Sequence, residues 1–190
     1  MILPAAADYP PITVIVPVYR DLHVTRACLE SLVASALPAN ASIVVINDCS
    51  PEVELSDYCR ELAARINCRL IVNDENVGFV RSANKGFALD PDNYILLLNS
   101  DTVVANDWLQ RMQACAYQHA HTGTVTPFSN NATICSYPVF LAVNKLPPGW
   151  SAADLDSVFK AANAGTYRSI PTAVGFCMYI KRACLNQTGA

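Results

Sequence analysis

The chain has 190 residues, 52% of them hydrophobic and 15% charged, with a formal net charge of −3. That length suits one well-packed domain, and the apolar content belongs to a core-building chain and not to a disordered one. With only 13 scattered Lys and Arg, the sequence lacks the basic stripe of a nucleic-acid binder and the basic docking helix of a membrane-surface protein.

No apolar run approaches the roughly 18–20 residues needed to span a bilayer. The longest, ITVIVPV and AVGFCMYI, are strand-length. The opening MILPAAADYPP has no basic region leading into a long apolar stretch, so no secretory leader is expected. Cys28, Cys49, Cys59, Cys68, Cys115, Cys135, Cys177 and Cys184 form no CxxC pair and sit mostly in apolar segments. Free thiols in a reducing cytoplasm fit that pattern better than disulfides or a zinc site.

In chain order, the β-branched run Ile12 to Val18 predicts a buried strand. Leu22, Leu29, Leu32, Val33 and Ala36 then recur at helical spacing, stopped by Pro38. Ser42 to Asp48 is a second strand. The helix after it carries Leu55, Cys59, Leu62 and Ile66 on one face, with Pro51 suited to its first turn. Arg69 to Asp74 is a third strand, followed by a turn and a helix that faces Val80, Ala83 and Phe87 inward. Tyr94 to Asn99 is a fourth strand, and a fourth helix starts near Asp107.

This β-α-β-α order predicts an α/β fold with a mostly parallel, Rossmann-like sheet, right-handed crossovers and helices on both faces. From Gly123 the pattern loosens into strand-like pieces cut by Pro and Asn, a loop around PPGW, a short helix LDSVFKAANA and a final strand within TAVGFCMYIKRACL. These read as an elaboration on the same sheet.

Ligands of open parallel sheets bind beyond the carboxyl ends of the strands. The predicted ends carry Pro17-Val18-Tyr19-Arg20, Asp48 in NDCS, Asp74, Asn76 and Gly78 in NDENVG, and Asp101 in NSDT. Three of the four ends thus bring carboxylates or amides to one edge. Turns and helix caps use the same residue types, and that structural reading is kept for Asp74 and Asp107. No glycine-rich phosphate loop follows the first strand, so phosphates bound here would need a cation, and a projecting carboxylate suits Mg²⁺ or Mn²⁺.

The ordered segments ITVIVPVYRD, CLESLVAS, SIVVINDCS, NVGFVRSANKG and YILLLNSDTVV resemble the nucleotide-sugar-binding half of inverting family 2 glycosyltransferases with the GT-A fold. TVTPFSNNATICSYP and PTAVGFCMYIKRACL resemble their rhamnosyltransferase-like branch. The resemblance implies a single domain over 1–190, with a nucleotide-sugar half at 12–108 and the incomplete start of an acceptor half at 123–190. It implies that Pro17, Val18 and Tyr19 line a nucleoside pocket, and that Asp48 accepts a pyrimidine N3–H. Arg81 would approach the base or phosphates beside Asn84 and Lys85, with Asn76 and Gly78 in the preceding turn. Asn99-Ser100-Asp101 would stand for the DxD motif, Asp101 binding the cation.

The implied reaction transfers a sugar from a UDP- or dTDP-linked donor, with inversion, to a glycan or lipid-linked acceptor in cell-surface polysaccharide synthesis. The implied location is the cytoplasm or the inner face of a membrane, touched only through regions outside this sequence. Asn99 replaces the first DxD acid, which implies weak metal binding without nucleotide. No residue matches the family's catalytic base, so the base is expected downstream of residue 190 and the chain is expected to be a truncated piece.

His23, His119 and His121 fall on or near helix surfaces, and Cys49 has no visible activating partner. Trp108 and Trp150 both read as packing residues first, with an acceptor contact as the second reading for Trp150 in its PPGW loop. Asn130 and Asn131 fit an acceptor wall or a turn equally. Two other functions stay open: a sugar nucleotidyltransferase, which would want a basic glycine-rich loop after the first strand, and a non-catalytic nucleotide-sugar-binding fragment.

Overall fold

A computed structural model describes residues 9–189. Residues 1–8, on which the expectation about a leader falls, and Ala190 lie outside the described residues. The strands are β1 (Ile12–Val18), β2 (Ala41–Asn47), β3 (Arg69–Val72), β4 (Tyr94–Leu98), β5 (Thr124–Val125) and β6 (Cys177–Ile180). The helices are α1 (Leu22–Ala34), α2 (Val53–Ile66), α3 (Phe79–Phe87), α4 (Trp108–Gln118), α5 (Ala152–Ala162) and α6 (Arg182–Thr188).

One six-stranded sheet has the order β3-β2-β1-β4-β6-β5. β1 through β4 are mutually parallel, and β6 runs antiparallel to both β4 and β5. The segment after Gly123 therefore adds its strands to the same sheet.

Every residue of β1 is buried, because this strand is central and covered on both faces. Ile12, Val14, Val16 and Val18 face one cluster with Leu29 and Leu32 of α1, Leu55, Cys59 and Leu62 of α2, and Leu109 and Met112 of α4. Ile15 faces the other, with Ala83 and Phe87 of α3 and Cys184 and Leu185 of α6 packed nearby. Helices thus cover both faces. Each buried aliphatic contributes about 1.5–3 kcal/mol relative to exposure. The eight cysteines are all unpaired, and no described helix is long and apolar enough to cross a membrane.

Several expected details differ. The first helix ends at Ala34, so Ala36 lies beyond it; Ser35 caps it in extended conformation, donating its amide to the Ser31 carbonyl. Pro51 falls outside α2, whose N-cap is Glu52. Val80, expected to face inward, is 68% exposed. The inward face of α3 is Ser82, Ala83, Gly86 and Phe87, and Val80 sits in a first turn that begins out at the strand tips. Asp107 holds the α4 N-cap position but makes no capping bond. It pairs instead with Arg111 and with Lys160 of α5. Trp108 packs in the core at 7% exposure, whereas Trp150 lies beside Asp154, Ser157 and Val158 of α5.

Gly86 lets α3 sit tightly on the sheet. A Cβ there would come within 2.7 Å of Ile15 Cγ2 and 3.1 Å of Ile46 Cδ1. Ile15 is β-branched and stiff, so it cannot swing clear. The clash, about 1–3 kcal/mol, outweighs the roughly 1 kcal/mol of helix propensity an alanine regains. Gly86→Ala is therefore expected to destabilise the fold by a net of about 1 kcal/mol, read as a lower urea midpoint; an unchanged or raised midpoint would show the seat to be looser than this.

Candidate functional site

The chain steps outward from β1 to β2 to β3, then returns to place β4 on the other side of β1. The strand order reverses between β1 and β4, the kind of switch point beyond whose carboxyl ends open α/β sheets bind ligands. Pro17, Val18 and Tyr19 stand at the tip of one of these strands; Asn99, Ser100 and Asp101 follow the tip of the other.

The backbone of the Asn99 turn is pinned. Asn99 donates its amide to the Phe176 carbonyl at 2.8 Å, and its own carbonyl accepts from the Thr102 amide at 3.1 Å and the Cys28 thiol at 3.4 Å. Burial raises the Cys28 pKa to about 12, the first of its causes, so this thiol remains a neutral donor. The Asn99 side-chain Oδ1 is buried with no hydrogen-bond partner, a costly state unless something polar meets it. Two residues on, Asp101 is exposed. Among the described residues no donor bonds its carboxylate, and it caps no helix. One free carboxylate and one orphaned amide oxygen make an oxygen-only donor set that fits Mg²⁺ or Mn²⁺ completed by phosphates. Among the described residues there is no cluster of three His, Cys, Asp or Glu that could hold a metal by itself.

On the other side of β1 the tips of β2 and β3 meet the start of α3 through one buried carboxylate. Asp48 is 3% exposed. Its Oδ1 accepts from the Asn73 amide group at 2.8 Å and the Val77 N–H at 3.0 Å, and its Oδ2 from the Gly78 N–H at 2.8 Å. Burial alone would raise its pKa, but the donors at Val77, Asn73, Ser82 and Gly78 outweigh it and hold the carboxyl below its ordinary value. Asp48 is thus the anchor of the Val77–Gly78 turn. It also fixes Gly78 at φ 85, a backbone shape suited to glycine. Oδ1 thus serves two protein donors and Oδ2 one, which leaves Oδ2 a further acceptor site.

Asn73 relays the anchor outward: it donates to Asp48 and Ser82 and accepts from Lys85 Nζ at 2.8 Å. Asn73, Asp74, Glu75, Val77, Arg81 and Lys85 line an open depression of about 500 Å³. Arg81 is exposed and, among the described residues, bonds no acceptor. Asn76 is exposed in the same turn. At the β1 tip, Pro17 and Val18 are buried. Tyr19 is half-buried, with the Arg20 guanidinium 5.0 Å from its ring centroid.

The family model for glycosyl transferase family 2 matches residues 13–188. The chain belongs to that family. A glycosyltransferase of Streptococcus pneumoniae serotype 4, GlyA, is 32% identical over 101 residues, which are 53% of this chain and 14% of GlyA. The mannosyltransferase PcManGT from Pyrobaculum calidifontis, solved with GDP-Man and Mn²⁺, superposes with a TM-score of 0.69 at 19% identity, over 98% of this chain and 49% of its own. The S. aureus protein TarS, residues 1–349, solved with UDP-GlcNAc, superposes with a TM-score of 0.53 at 22% identity, over 63% of this chain and 34% of its own. The fold is accordingly of the GT-A type, and this chain spans half or less of each of these relatives.

In this family 2 domain the structure brings the sequence-predicted residues to one edge but in two groups. Asn99, Ser100 and Asp101 stand at the β4 tip. Asp48, Asn76, Gly78, Arg81 and Lys85 gather around the β3–α3 turn, and Tyr19 lies at the β1 tip. Asn84 is half-buried in α3, and among the described residues its side chain donates to nothing outside the helix. His23, His119 and His121 are exposed. Asn130 and Asn144 bond each other's backbone, closing a turn far along the chain. Sequence reasoning missed Asn73, Ser82 and Glu52. Asn73 could have been found as an amide at the very end of a strand, one residue before an exposed acid; the pairings of Ser82 and Glu52 carry no local signal.

Proposed function

We propose that this chain is the donor-binding domain of an inverting glycosyltransferase that takes a UDP- or dTDP-linked sugar with Mn²⁺ or Mg²⁺ at the β1–β4 switch point. The observation that carries the reading lies at the β4 tip: an exposed Asp101 carboxylate with no donor among the described residues and, two positions before it, a buried, unpartnered Asn99 Oδ1. Asp101 and Asn99 would hold the cation, which when bound supplies Lewis-acid stabilisation of a leaving diphosphate.

The chain's own residues do the rest. Arg81, uncommitted and exposed, supplies positive charge at the rim of the depression. Lys85, tied to Asn73, keeps its charge close to the anchor of the turn. Asp48 shapes the site from beneath by holding Val77 and Gly78, and its Oδ2, which takes one protein donor, is the acceptor for the pyrimidine N3–H. Inversion, the rhamnosyl-type branch, a glycan or lipid-linked acceptor in polysaccharide synthesis and a cytoplasmic or membrane-peripheral location rest on the sequence resemblance. No described residue is assigned as general base.

Calorimetric titration of UDP, dTDP and GDP, with and without Mn²⁺, tests the reading. UDP or dTDP is expected to bind with Mn²⁺, more tightly than GDP, and to lose most of its affinity without the metal. Equal or better binding of GDP would remove the pyrimidine assignment, and binding indifferent to Mn²⁺ would remove the cation.

A further inference from the structure

Glu52 holds the N-cap position of α2, yet its side chain makes no bond to its own helix. The carboxylate reaches across to α1 instead. Oε1 accepts from the Asp21 amide at 2.9 Å and Oε2 from the Leu22 amide at 3.1 Å. These are N–H groups at a helix start that have no partner within the helix, and the helix dipole favours an anion there. In phosphate-binding α/β proteins the helix after the first strand offers this position to a ligand phosphate. Here the chain fills it with its own carboxylate.

The clamp belongs to a continuous path from the β2 tip to the β1 tip. The Ser50 amide donates to Asn47 Oδ1 at 2.8 Å, and the Glu52 amide donates to Ser50 Oγ at 3.1 Å. Asp21, bonded through Glu52, sits at φ 67, a left-handed shape that an L-residue adopts at a cost. Its own Oδ1 accepts from the Val24 amide at 3.1 Å. Between β1 and this clamped residue lie only Tyr19 and Arg20, the residues that follow the β1 tip at the switch point.

We propose that Glu52 is a positioning residue: it closes the start of α1 to ligand anions and fixes the Tyr19–Arg20 turn in the shape that receives the donor nucleotide. The proposal rests on the donor-site reading above. Two hydrogen bonds to a charged group are lost when the carboxylate goes, and each is worth enough to move an equilibrium by about tenfold or more.

The test uses the 190-residue chain with Glu52→Gln, nearly isosteric so that folding survives, together with Glu52→Ala and Glu52→Asp. Amide hydrogen exchange without ligand reads the clamp, and UDP calorimetry with Mn²⁺ reads the site. In Glu52→Gln, exchange at Asp21 and Leu22 is expected to quicken by about tenfold, and the UDP Kd to weaken by about tenfold, while unfolding stays cooperative. Glu52→Asp, which keeps the charge, should recover part of both. A purely structural residue would lower the unfolding midpoint and leave the Kd of the folded protein unchanged. Unchanged exchange at Asp21 and Leu22 overturns the clamp whatever the nucleotide does. Faster exchange with wild-type UDP affinity overturns the positioning role and leaves the donor site standing. A wild type that binds no nucleotide overturns the donor-site reading, and this role with it. Failure of all three variants to fold makes Glu52 a scaffold residue and overturns the proposal.

Discussion

Asp101→Ala is expected to reduce Mn²⁺-dependent nucleotide binding by about 100-fold while leaving the thermal midpoint unchanged. Removing groups that merely support a metal ligand costs about 10–100-fold, and Asp101 is the only carboxylate of the NSD turn. Its side chain is exposed and makes no hydrogen bond among the described residues, so the fold loses nothing when it is removed. Asp101→Asn, which keeps shape and loses charge, should fall nearly as far. Calorimetry with and without Mn²⁺, paired with a thermal melt, separates the two roles. A large fall in the melt, or a variant that binds as the wild type does, would remove Asp101 from the site.

The same donor set sets a second expectation for the metal by itself. One carboxylate and one neutral amide oxygen leave most of a divalent ion's coordination to water or phosphate. Without nucleotide the wild type should therefore take up Mn²⁺ only weakly, and tight uptake by the nucleotide-free protein would contradict this reading.

Asp48→Ala is the change expected to damage the fold most, by about 3 kcal/mol. It leaves the Val77 and Gly78 amides and the Asn73 side chain without the acceptor that now serves all three. The turn that starts α3 loses its anchor, and with it the seating of Arg81 and Lys85, so nucleotide affinity should fall as well. The pH dependence follows from the lowered carboxyl pKa. A group depressed on folding contributes stability that is fully present above its unfolded value, about 3.9 for aspartate, and that is lost as pH falls through the folded value. Wild-type stability should therefore decline on acidification below about pH 4 more steeply than that of Asp48→Asn. Urea unfolding from pH 6 to pH 2 compares the two slopes, and parallel curves would show that Asp48 carries no such linkage.

The division between legible and hidden features follows the range of the interactions. Strand positions were legible because β1, β2 and β4 are apolar runs whose burial is dictated locally, by β-branched residues that no surface segment would carry in such density. The edge cluster was legible too, since strand ends and the polar turns after them are adjacent in sequence. Val80 was misplaced because helical spacing shows which residues share a stripe, yet not where the helix starts relative to the rim of the sheet. Asp107 was taken for a cap because its partner Lys160 lies 53 residues away.

By itself the sequence determined the α/β order, the parallel sheet and the line of carboxylates and amides at its edge. These arise from patterns within a few residues, where propensity and hydrophobic period act directly. Only the tertiary structure decided what each carboxylate does. A carboxylate's role is set by the donors that reach it, and those come from other elements: Val77 and Gly78 to Asp48, Asp21 and Leu22 to Glu52, and none among the described residues to Asp101. Carboxylates that look alike in the sequence thereby become an anchor, a clamp and an uncommitted group at the rim.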